Sequence, residues 1–130
     1  MGGPRSPKGV SVKTCRVTIA DTDGVLLDRA EVALGSLQRL RGLMGRRALP
    51  PGEGLLIPHC SSVHTFFMRF PIDVVYLWRD NRVLKIVHAM RCCRVSACWS
   101  ARSVLEMPAG WAEAHDLRAG RTLTFHDIAP

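Results

Sequence analysis

The residues best suited to chemistry lie between His64 and Asp73, where polar groups alternate with aromatic and methionine side chains. In an extended strand, successive side chains point to opposite faces, so His64, Phe66 and Met68 share one face. This mixture suits either a buried core or the wall of an apolar pocket that holds a few polar groups. The structural alternative is that the histidine and the aspartate cap turns and satisfy backbone groups.

Asp73 and Glu106 are carboxylates in apolar surroundings, and each needs a partner if it is buried. An unpaired buried charge is costly or takes up a proton. Arg41 is the predicted partner of Asp73, because a guanidinium bonds a carboxylate in bidentate fashion. Arg69 or Arg41 is the predicted partner of Glu106. Such ion pairs would explain these residues without any ligand.

Other chemistries have weaker support in the sequence. The segments 59–64 and 88–93 contain histidine and cysteine, but they lack the paired cysteine spacing that is usual in structural zinc sites. No G-x-S-x-G elbow and no phosphate loop is present. Asp73 and Glu106 could flank a glycosidase cleft, although the ion pairs explain them equally well. The sequence therefore predicts no metal and no cofactor, and it favours a non-enzymatic protein.

Length and composition predict one domain. The chain has 130 residues, of which 47% are hydrophobic, and no apolar run reaches the ~18 residues needed to span a bilayer. Residues 1–12 lack the apolar segment of a secretory signal and predict a disordered tail before a single globular domain at 13–130. Five cysteines without a signal favour free thiols in the cytoplasm, and the protein is expected to be a monomer or a weak dimer.

The net charge of +7 permits a basic docking surface. Arg39, Arg41, Arg46 and Arg47 crowd one short segment, and a solvated basic face explains them as well as a partner does. The sequence shows no exposed aromatic platform beside them, which argues against nucleic acid.

Hydrophobic periodicity predicts a mostly β, α+β fold. A helix is predicted from Leu34 to Met44 and a second from Trp111 to Leu117, while residues 90–100 are interpreted as a connection. The predicted architecture is a compact, antiparallel, barrel-like domain of seven or eight short strands with two short helices. The predicted strands cover residues 13–19, 25–32, 55–57, 63–69, 74–78, 83–89, 103–107 and 122–126.

Five motifs in order give the chain a resemblance to a known family. They are R-G-L-M at 41–44, L-P-x-G-x-G-L-L at 49–56, H-T-F-F-M-R at 64–69, P-I-D-V-V-Y at 71–76 and V-L-E-M-P-A-G-x-A at 104–112. Over residues 14 to 127 the chain resembles the domain of unknown function 192 family of bacteria and archaea. The resemblance implies a small β-rich domain and no settled activity. Many relatives have a polar Asn-Thr pair where this chain has Phe70 and Pro71.

If the family motifs mark a pocket, its lining combines a histidine, methionines and charged groups. The leading hypothesis is a non-enzymatic domain that binds a small polar ligand such as a carbohydrate. The alternative is an interaction module whose basic surface docks a macromolecular partner, such as a secretion or pilus assembly component. The candidate ligand-binding residues are Arg41, Met44, His64, Met68, Asp73 and Glu106.

Overall fold

The computed structural model describes residues 13–35 and 43–127. Within these residues the chain is mostly β, as predicted. The elements are β1 (Thr14–Ile19), β2 (Gly24–Val32), β3 (Glu53–Pro58), β4 (Ser62–His64), β5 (Ile72–Leu77), β6 (Val83–Met90), β7 (Val95–Ala97), β8 (Ser103–Pro108), α1 (Trp111–Ala114) and β9 (Leu123–Asp127).

Seven strands form one sheet in the order β6-β5-β8-β3-β2-β1-β9, and β4 pairs with β7 in a small second sheet. Every described pairing is antiparallel except that of β2 with β3, which is parallel. The antiparallel prediction is therefore wrong for this one pair. The end strands β6 and β9 approach each other through a single bridge between Arg82 and Thr122. The described strands thus form a curved sheet, and not the closed barrel that the predicted shape suggested.

Each face of the main sheet has its own apolar cluster, because side chains alternate along every strand. The first core collects one set of alternate residues from the central strands, together with α1; it includes Leu27, Val75, Leu77, Leu105, Met107 and Ala112. The second core collects the other set, under the small β4–β7 sheet; it includes Leu55, Val63, Met68, Val74, Tyr76 and Val104.

Several predicted elements differ from the structure. The strand predicted at 63–69 ends at His64, because Phe67 adopts a positive φ of 66° that no strand accommodates. The three residues of β7 lie in the stretch interpreted as a connection. The C-terminal helix is confirmed but ends at Ala114. The helix predicted from Leu34 to Met44 falls mainly on residues 36–42, which lie outside the described residues, as does the predicted tail; the described part of the chain contains one helix.

The two glycines of the L-P-x-G-x-G-L-L motif are needed for the entry into β3. Gly52 has a φ of 80°, which favours glycine. At Gly54 a Cβ would lie 2.7 Å from the carbonyl oxygen of Glu106 and 2.7 Å from Cδ1 of Leu27. Only glycine allows β3 to pack this closely against β8 and β2. The motif is thus explained by the fold.

Candidate functional site

Asp73 is a fully buried carboxylate whose described hydrogen bonds are made with backbone amides. Its Oδ1 accepts hydrogen bonds from the N–H of Ala89 at 2.8 Å and of Gly110 at 3.2 Å, and its Oδ2 accepts one from Ala112 at 2.9 Å. Amide donors of this kind stabilise a buried carboxylate without a cation. The predicted partner Arg41 lies outside the described residues.

Two of the three amides connect the P-I-D segment to the M-P-A-G segment and the start of α1. The first amides of an α-helix have no acceptor within the helix, and α1 has four residues. Asp73 provides those acceptors from a neighbouring strand, while Gly110 turns the chain with a φ of 84°. Trp111 fixes the same turn by donating its Nε1–H to the carbonyl of Leu26 at 2.6 Å. Asp73 therefore has a structural role.

Glu106 is also a buried carboxyl, but its hydrogen bonding differs from that of Asp73. It lies in β8 between Leu55 and Val74 of the adjacent strands, on the face of the second core, and its side chain is 5% exposed. Its Oε1 is buried and has no hydrogen-bond partner among the described residues. Burial raises the pKa of Glu106 to about 7, because a charged carboxylate is poorly solvated there. The described ion pairs do not join it to Arg69, the partner that the sequence suggested.

Arg46 is the basic residue that acts on Glu106. Its positive charge lowers the pKa of this carboxyl and so opposes the larger effect of burial. The guanidinium itself donates from Nη2 to Oε1 of Glu31 at 3.1 Å, and both side chains are partly exposed. Arg46 follows the turn at residues 43–45, where the N–H of Gly45 donates to the carbonyl of Phe67 at 3.2 Å.

Tyr76 and Ser96 add a second polar pair on the same face of the sheet. The Tyr76 hydroxyl lies 2.9 Å from Oγ of Ser96, which links β5 to the small sheet. Burial raises the pKa of Tyr76, and the nearby Glu106 carboxyl acts in the same direction. The sequence argument missed this pair, although the alternation in V-V-Y places Tyr76 on the same face as Val74. Ser96 lies in a strand too short to show a period.

His64 is the last residue of β4, in the small second sheet. It is opposite Val95, which is 70% exposed, and its ring centroid is 5.3 Å from that of Phe66. Within residues 13–35 and 43–127, its buried Nδ1 has no hydrogen-bond partner. In the described part of the chain, no hydrogen bond or ion pair joins His64 to Glu106. His64 therefore belongs to the outer side of the small sheet.

The predicted site is consequently divided. Asp73 lies with the first core, whereas Glu106 and Met68 lie with the second core. Met44 is partly exposed in the turn before Arg46. Of the six predicted residues, the structure brings only Glu106 and Met68 to one core, and the position of Arg41 stays outside the described residues.

The described residues contain neither a cluster suited to a metal ion nor a membrane-spanning helix. Across residues 13–35 and 43–127, no three His, Cys, Asp or Glu side chains converge on a place where an ion would bind. No described helix is long and apolar enough to cross a membrane.

Comparison with known protein families decides the classification. The model of the DUF192 family, described as an uncharacterized ACR, matches residues 14–125. The chain belongs to this family. Asp73, Gly54 and Glu106 all lie within the residues that match DUF192. No curated protein matches the chain.

Two solved structures share the DUF192 fold seen here. One, from Sinorhizobium meliloti 1021 and described as "a putative transcription regulator", has a TM-score of 0.78 and 20% identity; the match covers 92% of this chain and 98% of that one. The other, a protein of unknown function from Novosphingobium aromaticivorans DSM 12444, has a TM-score of 0.75 and 20% identity, with coverages of 95% and 99%. At this identity the likeness establishes the fold alone.

Proposed function

We propose that this protein binds a small polar ligand through Glu106. The observation that carries the proposal is a buried carboxyl oxygen that has no hydrogen-bond partner among the described residues, beside a mainly apolar core. Buried polar atoms are nearly always satisfied, so an unsatisfied one calls for a partner that binds there. Asp73 and His64 are not part of this proposed contact, because they lie elsewhere in the fold.

The chemistry of Glu106 defines what the ligand offers. Near neutral pH the carboxyl exchanges between its protonated and ionised forms, so it can donate or accept a hydrogen bond. A ligand hydroxyl, as in a carbohydrate, satisfies Oε1 in either state. Because the side chain is only 5% exposed, the ligand is small or inserts a single group. We favour binding over catalysis, because no described hydrogen bond pairs Glu106 with a second acid or base.

A thermal-shift screen with monosaccharides tests the proposal. A sugar at a hundredfold its Kd should stabilise the wild-type protein by about 2.7 kcal/mol. The shift should disappear in Glu106→Gln, which keeps the size of the side chain, and persist in the matched control Glu113→Gln, whose side chain is exposed. Binding retained by Glu106→Gln would place the ligand elsewhere. If no sugar raises the melting temperature of the wild-type protein, the ligand is not a carbohydrate.

Docking of an acidic protein is the second candidate, and exposed aromatic residues favour it. Phe66 is 42% exposed and Phe67 77% exposed, and Arg91 and Arg94 are exposed on the adjoining turn. The sequence argument considered a different set, Arg39, Arg41, Arg46 and Arg47, and found no exposed aromatic platform beside it. Phenylalanine and arginine are both enriched at protein interfaces.

A titration with an acidic, leucine-containing peptide tests this candidate. Phe67→Ala and Arg94→Ala should both weaken binding, and Arg118→Ala, an exposed arginine near Asp116, serves as the control. Binding of a single-stranded oligonucleotide in place of the peptide would overturn the choice of partner.

We also propose a cytoplasmic location. The proposal rests on the five cysteines, none of which forms a disulfide in this structure. Cell fractionation tests it directly, and recovery of the protein outside the cytoplasm would contradict it.

A further inference from the structure

Two adjacent cysteines form an exposed thiol pair that neither candidate function uses. Cys92 and Cys93 lie in the turn between β6 and β7, and both are exposed. Their Sγ atoms are 2.8 Å apart, so one thiol donates a hydrogen bond to the other sulfur. Each thiol is therefore within reach of any reagent that has reacted with the other.

The turn that carries the thiols is fixed by its backbone. Cys93 has a φ of 66°, and its N–H donates to the carbonyl of Thr65 at 3.2 Å. The N–H of Arg94 donates to Oγ1 of the same threonine at 2.9 Å. Since Thr65 is fully buried, it holds the turn while the sulfur atoms stay at the surface.

The electrostatics distinguish the two sulfurs. The hydrogen bond with Cys93 raises the pKa of Cys92, and the positive charge of Arg94 lowers it to a lesser extent. Because the thiolate is the nucleophile in thiol chemistry, the raised pKa of Cys92 disfavours it as the first sulfur to react.

We propose that Cys92 and Cys93 form a reversible modification site that exchanges with low-molecular-weight disulfides. The Cys93 thiolate attacks a disulfide RSSR, which forms a Cys93–SR mixed disulfide and releases RS⁻. Cys92 then loses its proton and attacks Sγ of Cys93, which forms the Cys92–Cys93 disulfide and releases a second RS⁻. The thiol pair loses two protons and two electrons, and RSSR is reduced to two thiols after protonation.

Covalent geometry makes the product easy to reverse. Adjacent Cα atoms lie about 3.8 Å apart, whereas most protein disulfides join Cα atoms that are roughly 4.4–6.8 Å apart. A bond between neighbours is therefore strained, and strained, exposed disulfides are the readily reduced ones. This suits a site that is modified and restored, and it does not suit a structural crosslink.

The remaining cysteines are poorer targets. Cys15 is buried in the first core, and burial raises the pKa of its thiol. Cys60 and Cys98 are only partly exposed, and the Cys60 thiol donates to the carbonyl of Ser62 at 3.0 Å. Exchange is thus expected to be selective for the Cys92–Cys93 pair.

The test is an incubation with oxidised glutathione, followed by alkylation of the remaining thiols and mass spectrometry of the chymotryptic peptide that contains the pair. In the wild type, neither Cys92 nor Cys93 should be alkylated after this treatment, and the peptide should carry no glutathione. Dithiothreitol should make both thiols available for alkylation again. Cys92→Ser should retain glutathione on Cys93, because the second attack is lost. Cys98→Ser is the matched control and should behave as the wild type does.

Three results would overturn the proposal. The first is full alkylation of the wild-type pair after exposure to oxidised glutathione. The second is a stable glutathione adduct on the wild-type protein, which would show that the Cys92–Cys93 disulfide does not form. The third is a disulfide from Cys92 or Cys93 to another cysteine. None of these results bears on ligand binding at Glu106, so the two proposals fail separately.

Discussion

Asp73 and Glu106 are buried carboxyls in the neighbouring strands β5 and β8, yet their surroundings differ completely. Asp73 faces the first core and accepts three hydrogen bonds from backbone amides. Glu106 faces the second core, where its Oε1 makes no hydrogen bond with the part of the chain that the structure describes. Burial alone therefore does not reveal what a charged residue does in this fold. The number of donors around it separates a residue that holds the chain together from one that lacks a partner.

The largest expected effect is that of Asp73→Ala. The variant leaves three amides without their acceptor, so we expect the free energy of unfolding to fall by roughly 4 kcal/mol. Urea denaturation measures the loss. The control is Asp80→Ala, which removes a single exposed hydrogen bond to the N–H of Arg82 and should cost less than about 1 kcal/mol.

A double variant distinguishes two ways of stabilising Asp73: hydrogen bonds from backbone amides, and the predicted ion pair with Arg41. If Arg41 were the main partner of Asp73, Asp73→Ala combined with Arg41→Leu should recover much of the stability. Because the described partners of Asp73 are amides, we expect no recovery. A rescued double variant would show that the guanidinium, and not α1, is what Asp73 stabilises.

Glu106→Gln should remove a pH dependence of stability. The pKa of Glu106 is raised from 4.5 to about 7 on folding, so the folded state binds this proton more tightly than the unfolded state. The resulting stability is present below pH 4.5 and is lost as the pH rises toward 7, about 3 kcal/mol in all. Urea melts at pH 5 and pH 8 should show this loss in the wild type and in Glu113→Gln. An equal loss of stability in Glu106→Gln would show that a group other than Glu106 causes the pH dependence.

Gly54→Ala tests the close approach of β3 to Glu106. The added Cβ would meet the Glu106 carbonyl oxygen and Cδ1 of Leu27 at 2.7 Å, so the strands must separate. We expect a loss of about 2 kcal/mol in thermal or urea unfolding. Gly24→Ala is the comparison, because its Cβ meets only the Thr22 hydroxyl at 3.2 Å. Similar losses at both positions would show that general glycine effects dominate.

The smallest expected effect is that of Arg46→Ala. Its salt bridge to Glu31 is partly exposed, so stability should change by less than about 1 kcal/mol. The pKa of Glu106 should nevertheless rise, since Arg46 is the charge that lowers it. NMR titration of the Glu106 carboxyl carbon measures this shift, and Arg47→Ala should leave it unchanged. A pKa that does not move would remove Arg46 from the surroundings of Glu106.

Local patterns in the sequence predicted most of the fold and little of the site. Alternation and turn residues located the β1–β2 and β5–β6 hairpins, because both depend on neighbours in the chain. The parallel β2–β3 pair and the three-residue β7 depend on tertiary contacts that no local period reveals.

The site was harder because it depends on which face each strand presents. Glu106 is buried, which is the condition under which the sequence argument gave it a charged partner. The amides that satisfy Asp73 come from residues 89, 110 and 112, and no sequence spacing connects them to position 73. Grouping both carboxyls in one site required the two strands to present them to the same side, and they do not.

The single bridge between the end strands bears on how the protein avoids aggregation. An open sheet ends in unpaired backbone groups that can recruit strands from other molecules. Here the N–H of Val83 donates to the carbonyl of Arg121 at 2.7 Å, and the N–H of Leu123 donates to that of Asn81 at 3.0 Å. The chain beside β6 and the chain beside β9 thus satisfy part of each other's backbone hydrogen-bonding groups. A variant that weakens β9 would therefore expose unpaired backbone groups at both ends of the sheet.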